Sequence, residues 1–198
     1  MTQSLLNKYA LMFAYVLCLL TVVGAQDKNI ITPGSKMGSV KIGAPLSDFK
    51  AAFKSAKSIY GNGLDMCGGS AYQWLDYSHS GNSVFAYAKS DKIYQLSVHT
   101  PRFALANRLK VGDSEFAVKR AYPQGKRFVL KGSGMRVVGG RDLQYWVDSS
   151  AGVAFELYWD GIRKGRFVSG IDIFSASAKY LPEGCITPPR EWVENADK

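Results

Sequence analysis

The sequence has few histidines, the side chains that most often carry out acid–base catalysis. The two histidines are His79, in the run Asp-Tyr-Ser-His-Ser at 76–80, and His99. That run holds the residue types of a hydrolytic triad, but a triad is assembled in space from residues usually far apart in sequence. The Gly-x-Ser-x-Gly pattern that exposes a nucleophilic serine does not occur. The sequence favours a non-enzymatic protein, and a cell-envelope hydrolase using His79 or His99 is the alternative.

Cofactor and metal sites are not indicated either. The histidines, with Cys67 and Cys185, are too few and too scattered for a zinc site, which needs four ligands at short spacings. The glycine-rich run 132–140 has Val137 where the third glycine of a dinucleotide-binding pattern would fall, and no Lys-Ser/Thr pair completes a phosphate loop. We expect no cofactor and no metal.

The chain is better supplied with residues that contact other macromolecules. Its net charge is +9, and ten basic residues between Arg102 and Arg141 outnumber two acidic ones. A basic surface favours an anionic partner, and Tyr or Trp beside Arg makes a good contact anchor. The candidate contact residues are Trp74, Tyr87, Tyr145, Trp146, Trp159, Lys126, Arg127, Lys131, Arg136 and Arg141.

The expected partner is a protein or another anionic component of the cell envelope. Aromatic rings beside positive charge also suit single-stranded nucleic acid, but an exported protein seldom meets one, so no nucleic acid is expected. A basic surface that serves solubility alone is the alternative.

Residues 1–25 have the pattern of a signal peptide. Lys8 supplies the positive n-region, 10–23 the apolar core, and Val23-Gly24-Ala25 the small-x-small cleavage site. An uncleaved anchor is the alternative, because 9–25 just reaches the length that spans a bilayer. Cys18 lies inside the apolar core without the small preceding residue that lipid attachment needs. We predict a periplasmic or secreted protein with no anchor after cleavage.

Cleavage leaves Cys67 and Cys185 as the cysteines of the mature chain. An even pair in an oxidising compartment predicts a disulfide, which would tie the first half of the chain to its C-terminal tail. For so long a loop the chain-entropy model gives about 4–5 kcal/mol. Two free buried thiols are the alternative.

An internal repeat organises the chain. Residues 41–53 and 110–122 have matching patterns 69 positions apart, and each predicts a strand end, a turn at Gly43 or Gly112, and a helix. Pro45 suits the first position of the first helix, which we expect to run to about 55–57. Asp113 is the predicted N-cap of the second helix.

An antiparallel meander is predicted after each helix. Alternating apolar and polar residues indicate strands, and an insertion rich in Arg163, Lys164 and Arg166 precedes the last of them. A hairpin turn is expected at Ser90-Asp91. The predicted strands cover 72–77, 83–88, 93–98, 128–130, 135–138, 143–147, 153–155 and 167–174.

The predicted fold class is α+β. We expect duplicated helix-plus-meander repeats that form one sheet, with the helices packed on one face and the other face open. The predicted organisation is a signal peptide at 1–25, a loose leader at 26–37, repeats at 38–100 and 107–176, and an irregular tail at 177–198.

Tandem helix-plus-meander units, each opened by Ile42-Gly43 or Val111-Gly112, resemble the beta-lactamase inhibitor protein family. They are also similar to the small outer-membrane assembly lipoproteins that carry one such unit. The likeness covers residues 38–176 in pattern. It implies a protein-binding role, as an inhibitor or an envelope assembly factor, through the open concave face of the sheet. It assigns no individual binding residue.

Overall fold

A computed structural model describes residues 29–62, 71–79, 82–130, 143–182 and 192–194. The predicted signal peptide and strand 135–138 lie outside the described residues. The same is true of five predicted site residues, so the disulfide and part of the basic set stay predictions. These residues are Cys67, Cys185, Lys131, Arg136 and Arg141.

A nine-stranded antiparallel sheet forms the body of the protein. The order across the sheet is β13 (Trp192–Glu194), β9 (Lys126–Leu130), β10 (Leu143–Asp148), β11 (Val153–Asp160), β12 (Gly165–Phe174), β7 (Lys92–Val98), β6 (Asn82–Lys89), β5 (Ala71–His79) and β4 (Lys57–Asn62). Two four-stranded meanders, β4 to β7 and β9 to β12, meet where β7 pairs with β12, and β13 adds an edge strand beside β9.

Two short helices and a small second sheet complete the described fold, which is of the α+β class. The helices are α1 (Leu46–Ala52) and α2 (Glu115–Ala121). No helix among the described residues is long enough to cross a membrane. The small sheet has the order β3 (Val40–Lys41), β2 (Lys36–Met37), β1 (Ile30–Thr32) and β8 (Ala104–Leu105), with β1 and β8 parallel.

Matching hydrogen bonds hold the turns before the two helices. Gly43 and Gly112 have φ values of +85° and +95°, a conformation that favours glycine. The Gly43 N–H donates to the Ile93 carbonyl oxygen at 2.7 Å, and the Gly112 N–H donates to that of Val168 at 2.8 Å. Each helix start is therefore tied to the last strand of the meander that follows it.

The ends of the helices differ from the predictions. Ser114, and not Asp113, caps α2: its Oγ accepts from the Ala117 N–H at 3.3 Å, while Asp113 Oδ2 accepts from the Lys110 N–H at 2.9 Å. Pro45 is the N-cap of α1 and not its first helical residue. α1 ends at Ala52, because the backbone of Phe53 leaves the helical region and the next residues lead into β4.

One hydrophobic core fills the helix-covered face of the large sheet. Leu46 and Phe49 of α1 and Val118 of α2 belong to the same buried cluster as the inward residues of β6, β7, β11 and β12. Ile31 and Met37 are also part of it. The prediction of a loose leader at 26–37 is therefore wrong for β1 and β2, whose apolar side chains are needed to fill the core.

A second cluster lies on the other face of the sheet. It contains Leu143, Tyr145, Val147, Ala154, Phe174 and Tyr180. Tyr180 and Leu181 of the tail are buried, and 192–194 form an edge strand. The tail predicted to be irregular thus covers one end of the face that was expected to be open.

The hairpin turn predicted at Ser90-Asp91 is confirmed. Both residues have positive φ, 51° and 62°, as a two-residue turn between twisted strands requires. The strands predicted at 72–77, 83–88, 93–98 and 143–147 lie within β5, β6, β7 and β10.

We expect Gly43→Ala and Gly112→Ala to destabilise the protein equally, by about 1–2 kcal/mol each. A methyl group at either position meets no atom within 4 Å, so the cost is backbone strain alone. Gly161→Ala, also in open space but without a left-handed backbone, is the matched control and should be nearly neutral. Urea unfolding measures all three. A neutral Gly112→Ala would contradict this explanation of the turns.

Candidate binding surface

Three of the predicted aromatic anchors are buried. Tyr145 is 0% exposed, Trp146 7% and Tyr87 8%, so their predicted role as surface contacts is wrong. Tyr145 lies under the tail, with its ring 6.0 Å from that of Tyr180. Alternation along a strand predicts opposite faces, but it does not reveal that the tail covers one of them.

Trp146 supports the C-terminal end of α2. Its Nε1–H donates to the Tyr122 carbonyl oxygen at 2.9 Å, which satisfies a carbonyl group at the end of the helix. Lys119 Nζ lies 4.9 Å from the centre of the indole ring. Burial, and after it the Asp148 carboxylate, raises the pKa of Tyr122 to about 12, so this tyrosine stays neutral at physiological pH.

The remaining predicted contact residues are partly buried, paired with a carboxylate, or described only by their backbone. Trp159 is half-buried, and Trp74 lies in β5, where only its backbone is described. Arg127 forms an ion pair and hydrogen bond with Glu115 of α2, so it connects β9 to the helix. Lys126 is exposed and pairs with Glu194 of β13 at 3.0 Å.

A polar cluster marks the point where β7 and β12 pair, on the face away from the helices. Ser97 lies opposite Asp172, and both are buried. The Tyr180 hydroxyl and Ser97 donate to the Asp172 carboxylate. The Ser97 Oγ lies 3.1 Å from His99 Nε2. This cluster is the candidate for catalysis by His99.

The order of groups in the cluster does not suit a hydrolase. A serine hydroxyl has one hydrogen, and when Ser97 donates it to Asp172, its oxygen can only accept from His99 Nε2–H. A general base must instead accept the proton of the nucleophile. Ser97 is also only 2% exposed. The hydrogen bond from Tyr180 makes the cluster an anchor for the tail. His79 lies in β5, where its side chain is not described.

Among the described residues, Phe116 and Ile162 are the most exposed large apolar side chains. Phe116 on α2 is 73% exposed, and Ile162 in the turn between β11 and β12 is 94% exposed. The guanidinium of Arg120, one helical turn after Phe116, lies 5.9 Å from the centre of its ring. Sequence reasoning missed both apolar residues, because exposure depends on the tertiary structure.

A hydrogen-bond network holds the turn that carries Ile162. Asp160 Oδ1 accepts from the N–H groups of Ile162 at 2.9 Å and Arg163 at 3.0 Å. The Arg163 guanidinium donates to Asp160 Oδ2 at 2.6 Å and to the Tyr158 hydroxyl at 2.8 Å. It also stacks on the Phe167 ring at 3.4 Å. These contacts fix the turn, so Ile162 is presented on an ordered support.

A bridge between Ser114, the N-cap of α2, and Phe167 joins the start of the helix to β12, the strand that follows the exposed turn. We call the exposed residues of the helix and the turn the apolar–basic surface. It consists of Phe116, Arg120, Ile162, Arg163 and Lys164. Arg163 and Lys164 belong to the basic insertion visible in the sequence.

No metal site is formed within the described parts of the chain, where no group of three or more His, Cys, Asp or Glu side chains could hold an ion. No protein-family model matches the sequence, and no characterised protein matches it. The comparisons with solved structures therefore concern the fold.

The fold is similar to the crystal structure of the uncharacterized protein YfeY from Escherichia coli. The TM-score is 0.51 at 15% identity, over 74% of this chain and 99% of that chain. A cysteine-rich secretory protein from Staphylococcus aureus has a TM-score of 0.44 at 12% identity, over 75% of this chain and 49% of that chain. An extracellular protein with an SCP domain from Bacillus anthracis has a TM-score of 0.42 at 14% identity, over 69% of this chain and 44% of that chain.

These likenesses are too distant to assign a function. At 15% identity the first concerns the fold alone, and the other two have TM-scores too low to support an argument. The resemblance to the beta-lactamase inhibitor protein family stays a prediction.

The polar cluster predicts a pH-dependent stability. Burial raises the pKa of Asp172 above its usual value, despite the hydrogen bonds from Ser97 and Tyr180 and the nearby His99. The folded state thus binds the proton more tightly than the unfolded one, so stability falls as pH rises above the unfolded pKa of about 4 towards the raised folded pKa.

Asp172→Asn keeps an acceptor for Tyr180 and Ser97 but has no charge to bury. The melting temperature of this variant, relative to that of the natural protein, should therefore increase between pH 4 and pH 8. Ser175→Asn, at an exposed position nearby, is the control and should show no such trend. A constant difference between Asp172→Asn and the natural protein would contradict the raised pKa.

Proposed function

We propose that this chain is an exported, non-enzymatic protein-binding domain that recognises an acidic protein face through the apolar–basic surface. The observation that carries the proposal is the pair of exposed apolar side chains, Phe116 and Ile162, each beside arginine. Aromatic and arginine residues are enriched in protein interfaces and among the residues that contribute most of the binding energy.

Charge supports an acidic partner. Asp160 balances the charge of Arg163, and Glu115 is paired with Arg127 and Lys119, so Arg120 and Lys164 supply the positive charge of the surface. The whole chain, with a net charge of +9, is positive like this surface. Such a field accelerates the encounter with an acidic partner and excludes a basic one.

The hydrogen-bonded turn adds affinity because it is ordered before binding. A flexible loop loses conformational entropy when a partner fixes it, and a held loop avoids part of that cost. Ile162 is the central contact in this proposal, since its side chain is almost fully exposed on a turn with several fixed hydrogen bonds.

The proposal includes a duplication, in which the two halves of the chain are copies of one helix-plus-meander unit. The two helices, Leu46–Ala52 and Glu115–Ala121, begin 69 residues apart and end 69 residues apart, and a meander follows each of them. The paired glycine turns and the bridges Pro45–Lys92 and Ser114–Phe167 also correspond. We infer that the second copy gained the insertion at 160–166 and with it the binding surface.

Export rests on the signal-peptide pattern in 1–25. A periplasmic or secreted location would also allow the disulfide between Cys67 and Cys185 to form. The hydrolase alternative using His79 or His99 is less well supported, because the donor order around Ser97 opposes catalysis by His99.

The test is a quantitative capture experiment with the mature protein and cell-envelope extract. Phe116→Ala and Ile162→Ala should each reduce capture of the same partner at least tenfold, as expected for central contacts worth more than about 1.4 kcal/mol. Lys164→Glu should reduce capture mainly at low salt, where charges are less screened. Val193→Ala, an exposed apolar residue on β13, is the matched control.

All four positions are exposed, so circular dichroism and melting temperatures should stay unchanged. A partner that every variant retains, or one lost equally with Val193→Ala, would exclude the apolar–basic surface. Turnover of an ester, glycan or peptide that disappears with His99→Ala would support the enzyme instead.

A further inference from the structure

A cleft of about 510 Å³ lies in the first half of the chain, beside the end of α1. This volume falls within the range of small-molecule sites. Its lining comes from α1, the small sheet, β5, β6 and the segment after β7. None of these elements contributes to the apolar–basic surface.

Aromatic rings form the wall of the cleft. The Phe53 ring lies 5.1 Å from that of Tyr77 and 6.3 Å from that of Phe103, measured between ring centres. Met37 and Val84 also line the cleft, but each is only 1% exposed. Phe53 and Tyr77 are only partly buried, although both pack against the main core. The wall therefore offers apolar area to a ligand.

Two cations lie at the cleft. Lys54 and Arg102 are exposed and belong to its lining, and no carboxylate does so among the described residues. The position of Arg102 is fixed by its backbone, because its N–H donates to Thr100 Oγ1 at 3.3 Å. Thr100 in turn donates to Asn82 Oδ1 at 2.6 Å. These hydrogen bonds fix the backbone at Arg102, and the two cationic side chains supply positive charge to the lining of the cleft.

We propose that this cleft binds a small apolar anion, with a carboxylate or sulfonate held by Lys54 and Arg102 and an aromatic or aliphatic body against Phe53 and Tyr77. These two rings supply dispersion and hydrophobic contact. The two cations supply charge-assisted hydrogen bonds to the anionic group. The site is independent of the protein-binding surface.

Anilinonaphthalene sulfonate, an aromatic anion that fluoresces in apolar surroundings, is the probe. It should bind the mature protein at one saturable site. Lys54→Ala and Arg102→Ala should each weaken binding roughly tenfold, as expected for a charged hydrogen bond. Lys179→Ala removes the same charge from an exposed site outside the cleft and should leave the affinity unchanged.

Ala52→Trp provides a second variant, because Ala52 is exposed on α1 and lines the cleft. The indole should block the probe while the circular dichroism spectrum stays unchanged. Decanoate should displace the probe, and decyltrimethylammonium, with the opposite charge, should not. Non-saturable binding of the probe would overturn the proposal. So would an affinity of Arg102→Ala or Ala52→Trp equal to that of the natural protein, or displacement of the probe by both amphiphiles.

Discussion

The pairing of β7 with β12 is the interaction on which the rest of the structure depends. Leu96 lies opposite Ile173, and Val98 opposite Ile171, on the face that the helices cover. Between these pairs Ser97 and Asp172 face the other side. Without this ladder each meander would end in an exposed edge, and the core that contains residues from both helices would be divided.

The cost of burying Asp172 is offset locally. Tyr180 donates to its carboxylate, so the hydrogen bond that satisfies the carboxylate also holds the tail across the sheet. The tail then buries Tyr145. The hydrogen bond from Tyr180 to this one buried carboxylate thereby determines which part of the face away from the helices the tail covers.

Local signals made much of the fold predictable from the sequence. Glycine at 43 and 112 and the Ser90-Asp91 turn impose backbone conformations of their own, and strand alternation is a property of neighbouring residues. Burial by distant segments was not predictable. Whether Tyr145 meets solvent or the tail, and whether Ile162 stands on an ordered turn, depends on tertiary contacts. The basic insertion was visible, but its position beside α2 was not.

Native-state hydrogen exchange tests most directly whether the junction makes one cooperative unit of the two halves. Backbone amides of 95–98 and 171–174 should be among the slowest to exchange. Amides in the interior of β6 and of β11 should share one opening free energy, with the same dependence on denaturant. If β6 to β7 exchange through an opening that leaves β11 to β12 protected, the halves are independent and the account of the junction is contradicted.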